Sequence, residues 1–387
     1  MIKRTFHYIS IILLCVSSVH AAEWSLTSTL NPSAEYDDNV FLSEDAESSM
    51  HYAITPTVML TRAVDNMQTS LSVGYRIDRY SSLSSDNDTE NPFVRFNGSY
   101  NTERSQYGLS ANYTEATSRS TALEDTGDFT SQSINRTRSI NPSYSYQLSE
   151  RDSLSLNGSY SERLSSTTSF DDTETKSITA GWQRQFNERL SAGLNGTISN
   201  YESEGLTLTT DDDNYSLSTS FSYAWSELWN VAGAIGLRRL NTERRVLLTG
   251  ITDSDESTGS TLDFSAIRTD DINVYTIALS RSLSPSGTGE VNEIDRVSAS
   301  WSHHLSDRLT ANLATSYQES ISVLEGNNEK RENINFSPSL RWQLEENMSL
   351  NFSYNYRKQT QQSGSSADSN AVSVTLNYNW DGIRVSR

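Results

Sequence analysis

Long stretches of this chain alternate bulky apolar residues with small polar ones at every second position. Leu154, Leu156, Gly158 and Tyr160 interleave with Ser155, Asn157, Ser159 and Ser161. Tyr215, Leu217, Thr219, Phe221, Tyr223 and Trp225 interleave with four serines, and Met348 to Tyr356 and Val372 to Trp380 repeat the pattern with Ser, Thr and Asn. Successive side chains of an extended strand point to opposite faces, so each segment has one apolar and one small polar face. The i, i+3, i+4 spacing of an amphipathic helix is nowhere sustained, and a disordered chain has no cause to alternate. The pattern predicts an all-β protein.

Two architectures cover one face of such strands. A sandwich turns the apolar faces inward, whereas a transmembrane barrel turns them to lipid. The alternating runs reach about 10–14 residues, longer than the usual ~5–6 and enough to cross a bilayer at a tilt. Aromatics gather at their ends, as at Tyr223 and Trp225, Tyr354 and Tyr356, and Tyr378 and Trp380, where a barrel places its interfacial girdles. Connections alternate between short and long. The short ones share a form: Leu148-Ser-Glu-Arg-Asp-Ser-Leu154, Phe186-Asn-Glu-Arg-Leu190, Leu305-Ser-Asp-Arg-Leu309 and Leu344-Glu-Glu-Asn-Met348. The long ones, Ser81–Asn91, Ala122–Ile134, Ser165–Thr175 and Glu202–Asn214, are rich in acids, Ser and Thr. Only 35% of the 387 residues are hydrophobic, against about 45–50% in globular domains, so two well-filled soluble cores are excluded. The expected fold is a transmembrane antiparallel up-and-down β-barrel, with short periplasmic turns and long acidic external loops.

Strands are expected to begin near residues 24, 49, 67, 92, 106, 137, 152, 176, 189, 214, 229, 260, 272, 295, 308, 332, 347 and 371. That makes 18, an even number, with 16 as the alternative. The weakest is Thr261–Arg268, which parity requires if the Leu305–Leu309 turn is to be periplasmic. Asn-Gly pairs at 97–98, 157–158 and 195–196 fall inside alternating runs, so they are read as strand rather than as hairpin turns. A single barrel over 22–387 leaves no length for a second domain or a large plug.

The start of the chain reads as a secretory signal over 1–21. Lys3 and Arg4 precede the apolar Ile9–Val19 stretch, and Val19-His20-Ala21 offers small residues for cleavage. Cys15, the single cysteine, lies inside that stretch and follows Leu14, which argues against a lipid anchor. Its removal leaves neither disulfides nor thiolate ligands. The net charge of −19 becomes about −21 once Lys3 and Arg4 are gone, and excludes nucleic acid as a partner.

Three stretches carry a family resemblance: Glu35-Tyr-Asp-Asp-Asn-Val-Phe41, Ser280-Arg-Ser-Leu-Ser-Pro-Ser-Gly287 and Arg384-Val-Ser-Arg387. On these the chain resembles the type 2 β-barrel porins of Gram-negative bacteria, across most of its expected mature length. The resemblance implies an outer-membrane barrel with channel activity, in a setting of exopolysaccharide production or export. It supplies neither solute nor site.

No catalytic constellation emerges. His51 is expected at the external end of its strand, and His303 and His304 beside a periplasmic turn, so the three share no site. Gly287-Thr-Gly289 lacks the rest of a phosphate loop and reads as a turn. The acidic runs Asp86–Glu90, Asp171-Asp172, Asp211–Asp213 and Asp253–Glu256 read as solvated loops rather than Ca²⁺ or Mg²⁺ sites, since none has the ligand spacing of a Ca²⁺ loop. No metal or cofactor is implied.

By parity the inward face carries Ser, Thr, Asn, Gln and Gly, with Arg76, Arg95, Arg238, Arg341 and Arg357 as candidate pore-lining residues. These arginines either attract anionic solutes or pair with inward acids such as Asp78. Ala122–Ile134 and Val246–Ser260 are long enough to fold into the lumen and narrow it. The leading functional expectation is a non-enzymatic outer-membrane channel for small solutes or an oligo- or polysaccharide. Exopolysaccharide export and a non-conducting surface barrel are the alternatives. Expected partners are outer-membrane lipid and lipopolysaccharide, the barrel assembly machinery, and polysaccharide or polysaccharide-export proteins.

Overall fold

The computed structural model describes residues 22–122, 125–323 and 330–386, so the expected leader lies outside the described residues. Eighteen strands follow one another: β1 (Glu23–Asp37), β2 (Ser49–Val64), β3 (Met67–Tyr80), β4 (Thr89–Asn101), β5 (Ser105–Thr117), β6 (Ile134–Gln147), β7 (Asp152–Ser165), β8 (Asp172–Gln185) and β9 (Leu190–Glu204). Then come β10 (Leu208–Ala224), β11 (Trp229–Val246), β12 (Thr252–Thr269), β13 (Asn273–Pro285), β14 (Val291–Ser306), β15 (Leu309–Ser322), β16 (Lys330–Glu345), β17 (Met348–Gln361) and β18 (Ser366–Ser386). One turn of α-helix, α1 (Ser118–Thr121), follows β5, and a 3-10 turn, Ser85–Asn87, lies between β3 and β4. Each strand pairs antiparallel with the next. β1 pairs with β18, Leu30 opposite Tyr378 and Tyr36 opposite Val372, which closes the sheet into a barrel. The expected count of 18 and the strand containing Thr261–Arg268 are both present, and all three Asn-Gly pairs lie within strands.

The short connections share a local device. Asn187 Oδ1 accepts from the backbone N–H groups of Arg189 and Leu190, both at 2.9 Å. Ser226 Oγ accepts from Leu228 and Trp229 at 3.2 Å, and Asp270 Oδ1 from Ile272 at 3.2 Å and Asn273 at 2.8 Å. A short polar side chain thus satisfies the donors two and three residues on, turning the chain without a glycine.

The outward face is apolar in a continuous belt. Leu237 is 74% exposed and Ile178 60%, a cost in water of roughly 25 cal/mol per Å² that a hydrocarbon surround removes. Trp24, Tyr100, Trp225 and Trp301 fringe the belt at the short-turn end. At the loop end a tyrosine girdle hydrogen-bonds carboxylates just above it: Tyr75 donates to Glu90 at 3.1 Å, Tyr160 to Glu174 at 3.2 Å and Tyr317 to Glu319 at 3.1 Å. Amphipathic rings with polar tips raised toward water are what a lipid interface selects.

The buried hydrophobic side chains are few and form no central core. Six of them make two clusters at the loop end: Leu42, Ala122 and Phe129, and Tyr201, Leu240 and Val291. The second exists because the wall parts. β12 pairs with β13 only from Leu262 opposite Arg281 down to Thr269 opposite Val274, although β12 continues upward to Thr252. Above that point the β13–β14 hairpin keeps its own pairing to Pro285 opposite Val291 and leans inward. Leu283 and Val291, on its outward parity, thereby pack on Tyr201 and Leu240 from the inward faces of β9 and β11.

Two expected loops are strand instead. Within Glu202–Asn214 only residues 205–207 connect β9 to β10, so Asp211, Asp212 and Asp213 sit in β10, with Asp211 opposite both Glu202 and Glu243. Within Val246–Ser260 only residues 247–251 are a turn, and Asp253, Asp255 and Glu256 are in β12. That segment does not fold into the lumen. The ladder continues beyond the belt because backbone hydrogen bonds, not apolar side chains, sustain it there. Of the remaining acidic runs, Asp86 and Asp88 lie between β3 and β4 and Asp171 just before β8.

Candidate functional site: the inner wall and the loops across its mouth

Strands β1 to β4 turn Thr29, Asn31, Thr55, Thr57, Arg76 and Arg95 into a chamber of about 710 Å³. Its polar wall follows from the alternation that puts Leu, Val and Tyr on lipid. At its upper end His51 lies 2.7 Å from Asp78 and 3.9 Å from Glu35, and stacks on Tyr80 with ring centroids 4.6 Å apart. His303 contacts Asn273 at 2.8 Å and His304 contacts Thr310 at 3.1 Å, both at the short-turn end. The three imidazoles therefore occupy opposite ends of the barrel.

The five arginines singled out in the sequence divide into three kinds. Arg76 is exposed and binds both oxygens of Asp78 at 3.0 Å. Arg357 is half-buried and bonds Asp37 at 2.5 Å, with Ser369 donating to the same carboxylate at 2.6 Å. Arg95 and Arg341 are exposed and carry no ion pair among the described residues. The Arg95 guanidinium lies over the Phe93 ring at 4.6 Å, and Phe93 occupies the space that a Cβ at Gly74 would fill. Arg341 lies in a second recess, about 490 Å³, which shares Thr29 and Asn31 with the larger chamber.

Arg238 departs from the expectation. It is 5% exposed and ion-paired to Glu293 of the inward-leaning hairpin. The guanidinium reaches Glu293 over Gly259 of β12, where a Cβ would come within 2.8 Å of it. The hairpin covers Arg238, so it does not line the open space.

What the sequence did not disclose is how loops from three places meet. The described residues between β5 and β6, 118–122 and 125–133, fold inward as the length of Ala122–Ile134 suggested. Asp125 pairs with Arg163 of β7 and accepts from the Gly287 N–H at 2.7 Å. Arg331 of β16 donates to the carbonyls of Asp125, at 2.8 Å, and Thr126. Gln359 of β17 donates to the Gly127 carbonyl at 3.1 Å. From β5 through β1 and β18 to β16 is seven steps round an 18-stranded wall, where nine would be the far side, so the loop spans the mouth. The 286–290 turn joins it. Asp171 N–H donates to the Gly287 carbonyl at 2.9 Å, and Tyr201 donates to that of Ser286 at 2.6 Å. Gly289, at φ +80°, permits this turn. The Gly287-Thr-Gly289 segment is thus a turn, as read, but one docked on two other loops.

Within the spanning loop Asp128 is a local organiser. Burial works to raise its carboxyl, but bonds from Ser131 and Thr130, hydroxyl and backbone alike, outweigh it and hold Asp128 below the ordinary aspartate range. Arg119 braces the loop internally by donating to Phe129 O at 3.0 Å and ties it to two neighbouring loops, donating to Asn87 between β3 and β4 at 2.9 Å and lying 4.5 Å over the Phe41 ring between β1 and β2. No cluster of three or more His, Cys, Asp or Glu suited to a metal occurs among the described residues.

No protein-family model and no curated protein matches the sequence. Solved structures do match over nearly the whole length. Acinetobacter baumannii OccAB4 aligns with a TM-score of 0.51 and 9% identity over 94% of this chain and 98% of that one. Pseudomonas aeruginosa OpdK, solved with vanillate, aligns at 0.50 and 10%, covering 92% and 99%. The ferric citrate transporter FecA in its unliganded form aligns at 0.52 and 8%, covering 92% and 79%. At such identities the likeness shows the fold, which is that of the Gram-negative outer-membrane barrels.

Proposed function

We propose that the chain is an outer-membrane channel with a polar lumen, through which small solutes diffuse past arginines that favour anions. The apolar belt and its aromatic fringes support a place in the lipid bilayer, with the short turns in the periplasm and the spanning loop outside. The observation that carries the reading is the pair of exposed inward arginines, Arg95 and Arg341, without carboxylate partners among the described residues, in a chain of net charge −19. Fixed cations beside a water-filled path raise the local concentration of anions. The loops across the mouth narrow the entrance rather than filling the barrel, since the chamber beneath them is open.

Reversal potentials in planar bilayers under a KCl gradient test this. Refolded protein is expected to show anion preference, and a variant with Arg95→Ser and Arg341→Ser is expected to lose it. Arg238→Ser, removed from the lumen by its burial, leaves the preference in place if the variant folds. Unchanged selectivity in the double variant would refute the arginine assignment.

A further inference from the structure

The second recess has a composition found nowhere else in the described cavities. Its lining is Thr29, Asn31, Asn312, Arg341, Asn351, Thr375, Asn377 and Asn379, from β1 and β15 to β18. It contains no carboxylate, although the chain holds 49 Asp and Glu. It also contains no aliphatic or aromatic side chain. Among the described residues none of the five asparagine amides makes a side-chain hydrogen bond, in contrast to Asn141, which pairs with Ser110 and Ser159, and Asn195, which pairs with Ser220. Each free amide offers two N–H donors and a carbonyl acceptor, and Arg341 adds a planar cation that takes a carboxylate in bidentate fashion.

We propose that this recess is a binding site for a polyhydroxylated carboxylate, a sugar acid or a residue of an acidic saccharide. Hydroxyls both donate and accept, as the amides do, and the single cation takes the single anionic group. An aryl or alkyl carboxylate would find the cation but no apolar face to pack on, and a neutral sugar would find the amides but leave Arg341 unpaired. The chemistry of the wall therefore selects for both features together. The inference rests on the channel reading and deepens it, because the recess opens into the chamber through Thr29 and Asn31.

The test uses three probes of similar size on the full barrel: glucuronate, glucose and benzoate. In planar bilayers glucuronate is expected to interrupt the ion current at concentrations at least tenfold below those of the other two. Arg341→Gln is expected to raise its half-blocking concentration tenfold or more. A double change, Asn351→Ala with Asn377→Ala, is expected to raise it several-fold while leaving benzoate unaffected. Equal block by benzoate would mean that charge alone is read, and equal block by glucose that Arg341 plays no part; either overturns the proposal. If the folded protein carries no current, the channel reading fails and calorimetry on the detergent-solubilised barrel decides the site. Glucuronate binding lost in Arg341→Gln would uphold it, and absence of binding to the unaltered protein would overturn it.

Discussion

Asp125 holds the spanning loop by its side chain and its carbonyl at once, meeting Arg163, the Gly287 N–H and Arg331. Replacing it with Ala leaves the half-buried Arg163 without its counter-ion, a cost of about 1–3 kcal/mol. Asp125→Ala is accordingly expected to raise single-channel conductance and to make the loop a site of limited proteolysis. Asp128 gives the loop a pH dependence whose sign is fixed. Its folded-state pKa lies below the ordinary 3.8, so its contribution is complete above that value and is lost as pH falls through the depressed one. Proteolysis of the loop is expected to be the same at pH 7 and pH 5 and to accelerate only below about 3.8. At this scale the sequence was partly legible. Parity places Arg76, Arg95, Arg341 and Arg357 on the inner wall, and it offered Asp78 as a partner for an inward arginine. It could not reveal Asp125 or Gly287, because their partners are 38 to 206 residues away and no local pattern encodes such distances.

The strands show where alternation carries information and where it stops. Expected and observed starts agree within one residue at the short-turn end: 67 and Met67, 152 and Asp152, 229 and Trp229, 347 and Met348. There the belt begins almost at the turn, so apolar periodicity marks the strand. At the loop end β2 begins at Ser49 as expected, but the other strands begin earlier, at Leu208 rather than 214 and at Thr252 rather than 260. These extensions are acidic and polar on both faces, and only their backbone ladders reveal them. The inward lean of the β13–β14 hairpin was equally hidden, since Leu283 and Val291 keep the parity of lipid-facing residues. Its energetics are testable. Leu240→Ala removes the most deeply buried member of the cluster beneath it, costing about 2–5 kcal/mol, and Glu293→Gln strips the counter-ion from Arg238. Both changes are expected to loosen the hairpin and appear as larger, flickering current steps, while a silent exchange at the exposed Ser82 changes neither conductance nor noise.

For the molecule as a whole, closure follows from elementary needs. Strands with one apolar face and no soluble core must present that face to lipid, and lipid tolerates no unpaired sheet edge within the hydrocarbon. Closing β1 on β18 satisfies both, and β12 parts from β13 only where the outward residues turn polar, at Ser260, Thr258 and Glu256 beyond Leu262. A charge on the belt is therefore costly: Leu217→Arg is expected to lower the stability of the vesicle-folded protein by about 2–4 kcal/mol, whereas Ser218→Arg, one residue on and facing inward, is expected to cost much less. Denaturant titration in vesicles of defined lipid separates the two. On the channel reading the barrel encloses a water-filled path narrowed by loops that meet across its mouth. Single-channel recording of the refolded protein, beside a variant in which residues 119–132 are replaced by a short Gly-Ser link, tests it most directly. Small stable steps are expected from the intact chain and several-fold larger ones from the variant. Heat-modifiable barrels that carry no current in either form, or steps indifferent to the loop, would contradict it.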